Sequence, residues 1–297
     1  MNVSWFWLIF IATNLFSVSD LIDKFLCEKK FKSVYAFSTI NFLLSIVFII
    51  GLSFFVNWSH LYGWPFFLAL ASGPLYFLMW ILLWKALVSN EASRAIAVFN
   101  TMPIFNALLA AFFLNEVISG SKWLAIILIA IGAVICAWEN KADAKFNRAY
   151  LLVILSAFVA AVANIISKFA ASQIDALTLY PISFLGSLPF YGLFLLKKEV
   201  LEEVKVNLRK KKVLAVLFIR TLVTFMAVCF FYLALAKGPA SLVLAVNGIG
   251  PLFVLIYAVI ASLFLPKYIK EELDSSTLLQ KSLAIILIVS GVILINR

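Results

Sequence analysis

The sequence predicts an all-α polytopic membrane protein, with ten transmembrane helices arranged as two inverted five-helix repeats. Of its 297 residues, 65% are hydrophobic and only 13% are charged, whereas a soluble protein is about half apolar and a quarter charged. Its apolar runs are long enough to cross a bilayer, which takes about 20 residues per helix. In addition, the segment LAIILI occurs twice, beginning at Leu124 and at Leu283.

Apolar runs between charged or Gly/Pro breaks define ten predicted spans, numbered here from span 1 to span 10. Helices are expected because lipid cannot satisfy backbone polar groups, and a helix satisfies its own. The predicted spans are 4–26, 34–56, 65–88, 93–114, 121–138, 149–170, 177–196, 213–235, 240–264 and 280–296.

The second half of the chain repeats the first in the same order. LIDKFL in span 1 matches IISKFA in span 6, 144 residues later, and VYAFS in span 2 matches LYPIS in span 7, 145 residues later. WKAL in span 3 and YLAL in span 8 lie 148 residues apart, as do Pro103 and Pro251, and the LAIILI copies lie 159 apart. We therefore expect one repeat at 1–140, a linker at 141–146 and a second repeat at 147–297. Because each copy has an odd number of spans, the second must be inverted, as in many secondary transporters.

The positions of the basic residues predict the orientation of the chain. The loops after odd-numbered spans hold eighteen Lys and Arg residues, while the opposite side holds four, counting Lys168 near its edge. Basic loops face the cytoplasm, so both termini are predicted to be extracytoplasmic, in a prokaryotic cytoplasmic membrane. The segment 197–212, KKEVLEEVKVNLRKKK, is either a basic surface helix touching anionic lipid or a solvated connector.

The sequence lacks the motifs that several classes of protein function require. Three separated cysteines and one histidine, His60, provide no metal site, and there is no GxxxxGK[ST] loop for nucleotide. We find no HExxH motif and no nucleophile with a base, so an enzyme is not expected. No cofactor and no nucleic-acid partner are predicted. The expected partners are a small-molecule substrate and the lipid bilayer, and a monomer suffices for a transport pathway.

Charged residues inside a span are candidates for function because they are costly in lipid. Asp20 and Lys24 lie four residues apart on one helical face, and Asn164 and Lys168 occupy the matching positions in span 6. Asp20, Lys24 and Lys168 are therefore candidates for coupling, although both lysines could instead extend to the membrane surface. Arg220 is a candidate to bind an anionic substrate in two places, or to form a structural pair with Asp20 or a carbonyl.

Uncharged candidates cluster near the matched prolines. Asn100 and Asn247 precede Pro103 and Pro251, which each remove a backbone hydrogen bond. The asparagines could bind substrate or satisfy a freed carbonyl. Gly248 and Gly250 make span 9 deformable and could form a gate hinge, or could permit close helix packing. The further candidates for substrate binding are Asn14, Thr224, Tyr76, Trp80 and Tyr180; the aromatic ones could instead belong to interfacial belts.

The stretch from Trp84 to Ile135 resembles the EamA-type carriers of the drug/metabolite transporter superfamily. The resemblance rests on an aromatic residue followed by Ala-Leu (WKAL at Trp84), Pro103, the Leu-x-Glu ending at Glu116, and Gly132. The second half matches more loosely, with YLAL, Pro251 and Gly291, and it has Phe264-Leu265-Pro266 in place of Leu-x-Glu.

This resemblance implies a ten-helix carrier with a central cavity between two repeats. We therefore expect a secondary transporter that moves a small polar metabolite or drug-like solute by alternating access. The alternative is a translocase of a lipid-linked headgroup. The superfamily commonly has cytoplasmic termini, whereas the charge count here predicts the reverse.

Overall fold

A computed structural model describes residues 4–58, 63–89, 99, 101–137, 148–250, 252–254, 256–257, 260 and 275–295. Within these residues the chain is helical, with no strand. The helices are α1 (Trp5–Lys29), α2 (Val34–Ser53), α3 (Trp64–Ser89), α4 (Met102–Phe113), α5 (Gly120–Ala137), α6 (Arg148–Ala171), α7 (Ala176–Leu195), α8 (Lys198–Leu208), α9 (Lys211–Lys237), α10 (Ala240–Asn247) and α11 (Ser275–Ile295).

Six of the described helices are long and apolar enough to cross a membrane, by length and composition. They are α1, α2, α3, α6, α7 and α9, which correspond to spans 1–3 and 6–8. The helices of spans 4, 5, 9 and 10 are apolar but shorter in their described parts. Six of the ten predicted spans therefore meet the criterion among the described residues, three in each half of the chain.

The two copies of LAIILI pack against each other. A Cβ atom at Gly132 in α5 would lie 2.7 Å from Ile288 Cγ1 and 2.9 Å from Ala284 O in α11. A Cβ atom at Gly291 would lie 2.6 Å from Ile129 Cγ1 and 2.8 Å from Ala125 O.

These contacts are reciprocal. Gly132 and Gly291 occupy equivalent positions of the two repeats, and so do the residues that each of them meets. They also run in opposite order along the two helices, so α5 and α11 are antiparallel. A pair of identical segments related in this way has a two-fold axis perpendicular to the helices, as an inverted duplication requires.

In the other main helix pairs, too, a helix of one repeat packs on a helix of the other. The most extensive contacts join α1 to α9 and α3 to α6, which are equivalent pairs of the two repeats. α4 packs on α10, its own equivalent. The main core lies where these pairs meet. It is rich in alanine, which lets helix backbones approach closely.

The segment 197–212 contains an amphipathic helix, which the sequence left undecided between a helix and a connector. α8 buries Val200, Val204 and Asn207 against the ends of α1 and α2. Glu203 Oε1 accepts hydrogen bonds from the backbone N–H of Lys32, at 2.7 Å, and of Ser33, at 3.4 Å. This helix thus fastens the α1–α2 connection.

Candidate functional site

An ion pair joins α1 to α9 inside the bundle. Arg220 Nε donates to Asp23 Oδ1 at 2.6 Å and Nη2 donates to Asp23 Oδ2 at 2.5 Å. Both residues are largely buried, with 8% of Arg220 and 9% of Asp23 exposed. The guanidinium carbon also lies 5.9 Å from the centre of the Phe37 ring. Arg220 is therefore interior, as expected, but the carboxylate it binds is Asp23 rather than Asp20.

Side chains next to this ion pair fix the rotation of both helices. Thr224 Oγ1 donates to Ser19 Oγ at 2.9 Å and to the Arg220 carbonyl at 3.0 Å. Thr221 Oγ1 lies 3.3 Å from Asn41 Oδ1 on α2. We call Asp20, Asp23, Arg220 and Thr224 the charged cluster.

Asp20 lies one turn before Asp23 and within electrostatic range of Arg220. Its side chain is exposed, in contrast to the buried Asp23. Thr13, Ser17 and Asp20 follow one stripe of α1, because residues at i, i+4 and i+7 share a helical face. Thr13 Oγ1 donates to Asn247 Oδ1 at 3.1 Å and Ser17 Oγ donates to the Gly250 carbonyl at 3.1 Å. Asp20 thus lies on the α1 face that packs against span 9. The side chain of Lys24, on the same face, is outside the described residues.

A second polar cluster lies between α3, α4 and α6 and carries no charge. Tyr76 Oη donates to Asn164 Oδ1 at 2.9 Å and lies 3.3 Å from Ser167 Oγ. Asn164 Nδ2 donates to Asn106 Oδ1 at 3.3 Å. The hydroxyl of Tyr232 on α9 also interacts with Tyr76 and Ser167. We call Tyr76, Asn106, Asn164 and Ser167 the neutral cluster.

The two clusters occupy equivalent positions of the repeats. Separations of 144 and 148 residues place Asn164 opposite Asp20, Ser167 opposite Asp23, and Tyr76 opposite Thr224. The inverted duplication therefore puts a charged cluster in one half and an uncharged one in the other.

Asn106 on α4 also belongs to the neutral cluster. It is 0% exposed, and its Nδ2 has no hydrogen-bond partner among the described residues. The signal available in the sequence was its spacing of three residues after Pro103.

Turn residues lie just before the matched prolines at equivalent positions of spans 4 and 9. Thr101 and Ile249 are turn residues, 148 positions apart. The same local hydrogen bond occurs in both repeats: Ile104 N–H donates to Thr101 O at 3.0 Å, and Leu252 N–H donates to Ile249 O at 3.0 Å. The sequence predicts spans 93–114 and 240–264 as single helices; α10 ends at Asn247, inside the second of these, and the described part of the first contains α4, which begins at Met102.

The glycines of span 9 differ in what surrounds them. A Cβ atom at Gly248 would lie 2.7 Å from Pro103 Cγ, so this glycine permits α10 to pack closely on α4. A Cβ atom at Gly250 would meet only Ser17 Oγ at 3.6 Å and Thr13 Cγ2 at 3.7 Å. The other candidates near the matched prolines, Asn100 and Pro251, lie outside the described residues.

Two charged residues bind the junction between α9 and α10. Lys168 Nζ donates to the carbonyls of Leu235, at 2.6 Å, and Gly238, at 2.7 Å, so it satisfies the last carbonyls of α9. Glu116 Oε1 accepts from the Ala240 N–H at 2.6 Å, and Oε2 accepts from the N–H and hydroxyl of Ser241, at 3.0 and 2.7 Å. Glu116 thus caps the N-terminus of α10, a function of this residue that the sequence did not predict. We call this arrangement the junction clamp.

The remaining candidates lie at the edges of the clusters. Tyr180 packs with Phe225 and Tyr232, at ring-centre distances of 5.9 and 6.2 Å, and lies within electrostatic range of Arg220. Asn14 Oδ1 accepts a hydrogen bond from Tyr257.

Trp80 belongs with apolar neighbours rather than with either cluster. Its ring lies 5.3 Å from that of Trp84, and it packs against small apolar groups centred on Met79 and Leu83. Among the described residues, no group of three or more His, Cys, Asp or Glu side chains could hold a metal ion.

Comparison with known proteins identifies a family and a fold. The model of the EamA-like transporter family matches residues 3–138 and again residues 147–297. No curated protein matches the chain. One solved structure, titled "Crystal structure of protein", has a TM-score of 0.71 at 14% identity, and the match covers 100% of this chain and 98% of that one. At that identity the likeness shows the fold alone.

Proposed function

The chain belongs to the EamA-like transporter family, and from this premise we propose that it is a secondary transporter that moves a small polar solute by alternating access. As a member of a transporter family with several apolar helices, it is a multi-pass membrane protein. The proposal places the solute pathway between the two repeats, where α4 and α10 meet.

The observation that carries the proposal is the pair of turns at equivalent positions of spans 4 and 9. In transporters built from inverted repeats, discontinuous helices in corresponding positions of the two halves mark the binding site. Thr101 and Ile249 occupy such positions here. A broken helix frees backbone groups that can bind a polar solute, and it can bend at the break as each side opens.

We assign the polar residues around the breaks to substrate contact. Thr224 and Tyr180 belong to the side of the charged cluster, where Arg220 holds Asp23 in place. Asn164 and Tyr76 belong to the side of the neutral cluster, and Trp80 would supply an apolar surface next to Tyr76. Asn14 and Asn247 belong near the axis between them, and Asn100, outside the described residues, remains a proposed contact.

We assign gating to the segments that contain Pro103, Pro251, Gly248 and Gly250. Asp20 and Lys24 remain the proposed coupling residues. Lys168 is proposed to act through the junction clamp, because its ammonium group binds two backbone carbonyls. In the orientation predicted from the basic loops, this clamp would lie on the extracytoplasmic side.

Flux measurements in proteoliposomes test the proposal. Purified protein would be reconstituted and assayed with labelled amino acids, organic acids, sugar phosphates, nucleotides, amines and lipid headgroups. We expect saturable flux of at least one soluble solute. Tyr76→Phe removes the hydroxyl that binds Asn164 and should lower that flux about tenfold, corresponding to about 1.4 kcal/mol.

Tyr35→Phe is the matched control, because Tyr35 packs on Phe194 outside both clusters. Scrambling of a fluorescent lipid without flux of any soluble compound would replace the proposal with the translocase of a lipid-linked headgroup.

A further inference from the structure

We propose that the transported solute is an organic cation with a protonated amine, and that Asp20 is the carboxylate that binds it. This inference rests on the proposed transport function, because it assigns the chemical class of the substrate.

Arg220 is already occupied by another side chain. The two hydrogen bonds from Nε and Nη2 to Asp23 use one of the guanidinium edges that can bind a carboxylate in two places, and Asp20 adds a second negative charge within electrostatic range. An anionic solute could take this edge only by displacing Asp23, which would leave a buried carboxylate without its partner. The geometry therefore removes the reason to expect an anionic substrate.

Asp20 provides the accessible charge of the cluster. Asp23 is largely buried against Arg220, whereas the Asp20 side chain is exposed on the α1 face that packs against span 9. Few compensating charges lie nearby among the described residues, because α10, which packs on α1, contains no Asp, Glu, Lys or Arg, and the electrostatic partners of Asp20 are Asp23 and Arg220. Two carboxylates thus share one guanidinium, and a carboxylate inside a span requires a positive partner.

An amine would also find suitable rings on the Arg220 side of the charged cluster. Tyr180 lies within electrostatic range of Arg220 and forms a tilted aromatic group with Phe225 and Tyr232. Aromatic faces attract ammonium groups, and the attraction is strongest away from water. The equivalent position in the other repeat is Asn164, so the carboxylate is specific to one half of the pathway.

Lys24 is the side chain of this chain that could compete with an amine. It lies four residues after Asp20 on the same face of α1, a spacing that allows an ion pair. The experiment therefore includes Lys24→Gln.

Three probes with similar carbon skeletons test the inference: phenethylamine, 2-phenylethanol and 3-phenylpropionate. Each is added to the purified wild-type protein, and binding is measured by isothermal titration and by the shift in melting temperature. We expect phenethylamine to bind at least tenfold more tightly than the other two. Asp20→Asn should weaken its binding at least tenfold, while Asp20→Glu should retain it.

Glu202→Gln is the matched control, since it removes an exposed carboxylate of α8 and should leave amine binding unchanged. Elution of every variant as a single peak on size exclusion ensures that lost binding is not lost folding. If Asp20→Asn elutes as aggregate, competition of tetramethylammonium with phenethylamine on the wild type, absent with tetramethylurea, supports the inference in its place.

Three results would overturn it. The propionate could bind most tightly and lose affinity in Arg220→Gln, the alcohol could bind as well as the amine, or the amine could bind Lys24→Gln but not the wild type. In each case, flux of another solute class would leave the transport function standing. Absence of flux for every class would instead refute the transport function itself.

Discussion

Replacing Glu116 by glutamine tests whether the junction clamp stabilises the contact between repeats. The carboxylate accepts three hydrogen bonds, from the Ala240 N–H at 2.6 Å and from the N–H and hydroxyl of Ser241 at 3.0 and 2.7 Å. Hydrogen bonds to a charged group contribute about 1.5–3 kcal/mol each. The negative charge also interacts favourably with the N-terminus of α10, by about 0.3–1 kcal/mol.

Glutamine keeps one acceptor oxygen and turns an N–H₂ group towards the other donors. We therefore expect Glu116→Gln to lower the free energy of unfolding by about 2 kcal/mol. For a protein of this size class, each kcal/mol shifts the melting temperature by about 2–4 °C, so the expected decrease is about 4–8 °C.

The assay is thermal unfolding in detergent, followed by intrinsic tryptophan fluorescence. Glu202→Gln, on the exposed face of α8, should change stability by less than about 0.5 kcal/mol. Because Glu116 lies within electrostatic range of Lys168, the double variant with Lys168→Met should deviate from additivity. An unchanged melting temperature in Glu116→Gln would refute the clamp.

Three further predictions concern the contacts between repeats. Gly132→Ala should cost about 1–3 kcal/mol, because its Cβ atom would lie 2.7 Å from Ile288 Cγ1, whereas Gly120→Ala should not, since nothing lies within 4 Å there; equal melting temperatures for the two variants would contradict the reciprocal packing. Arg220→Gln should cost about 3–5 kcal/mol by leaving Asp23 unpaired, and the double variant Arg220→Gln/Asp23→Asn should recover part of that loss in chemical unfolding; a double variant no more stable than the single one would count against the pair. Gly248→Ala should reduce flux more than Gly250→Ala in proteoliposomes, because only the first would press on Pro103, at 2.7 Å; the reverse order would assign the hinge to Gly250.

The repeat was predictable because a duplication leaves matching letters at constant spacing. LAIILI recurs after 159 residues, and residues of both copies lie at the contact between α5 and α11. The six long helices were predictable for a similar reason, since an uninterrupted apolar run has few alternatives in lipid. The turns at Thr101 and Ile249 were less predictable, because a proline shows where a helix can break but not which residues form the turn.

The partners within the site were harder to predict. Asp20 and Asp23 lie three residues apart, and which one meets Arg220 depends on the rotation of α1 relative to α9, which many small contacts determine together. Glu116 was recognised as part of a motif, but its target, the start of α10, lies 124 residues away in the chain. Lys168 was a candidate, but its partners, the carbonyls of Leu235 and Gly238, were not predictable because a backbone carbonyl leaves no signature in a sequence.

The measurement that tests alternating access most directly is flux through a protein whose junction clamp is locked. The variant would carry Glu116→Cys and Ser241→Cys, and its native cysteines Cys27, Cys136 and Cys229 would be replaced. A short reducible thiol crosslinker would then join the two introduced thiols in proteoliposomes. The account predicts that crosslinking stops solute flux and that reduction restores it, because the pathway must open where α10 begins. Unchanged flux in fully crosslinked protein would contradict alternating access through this junction.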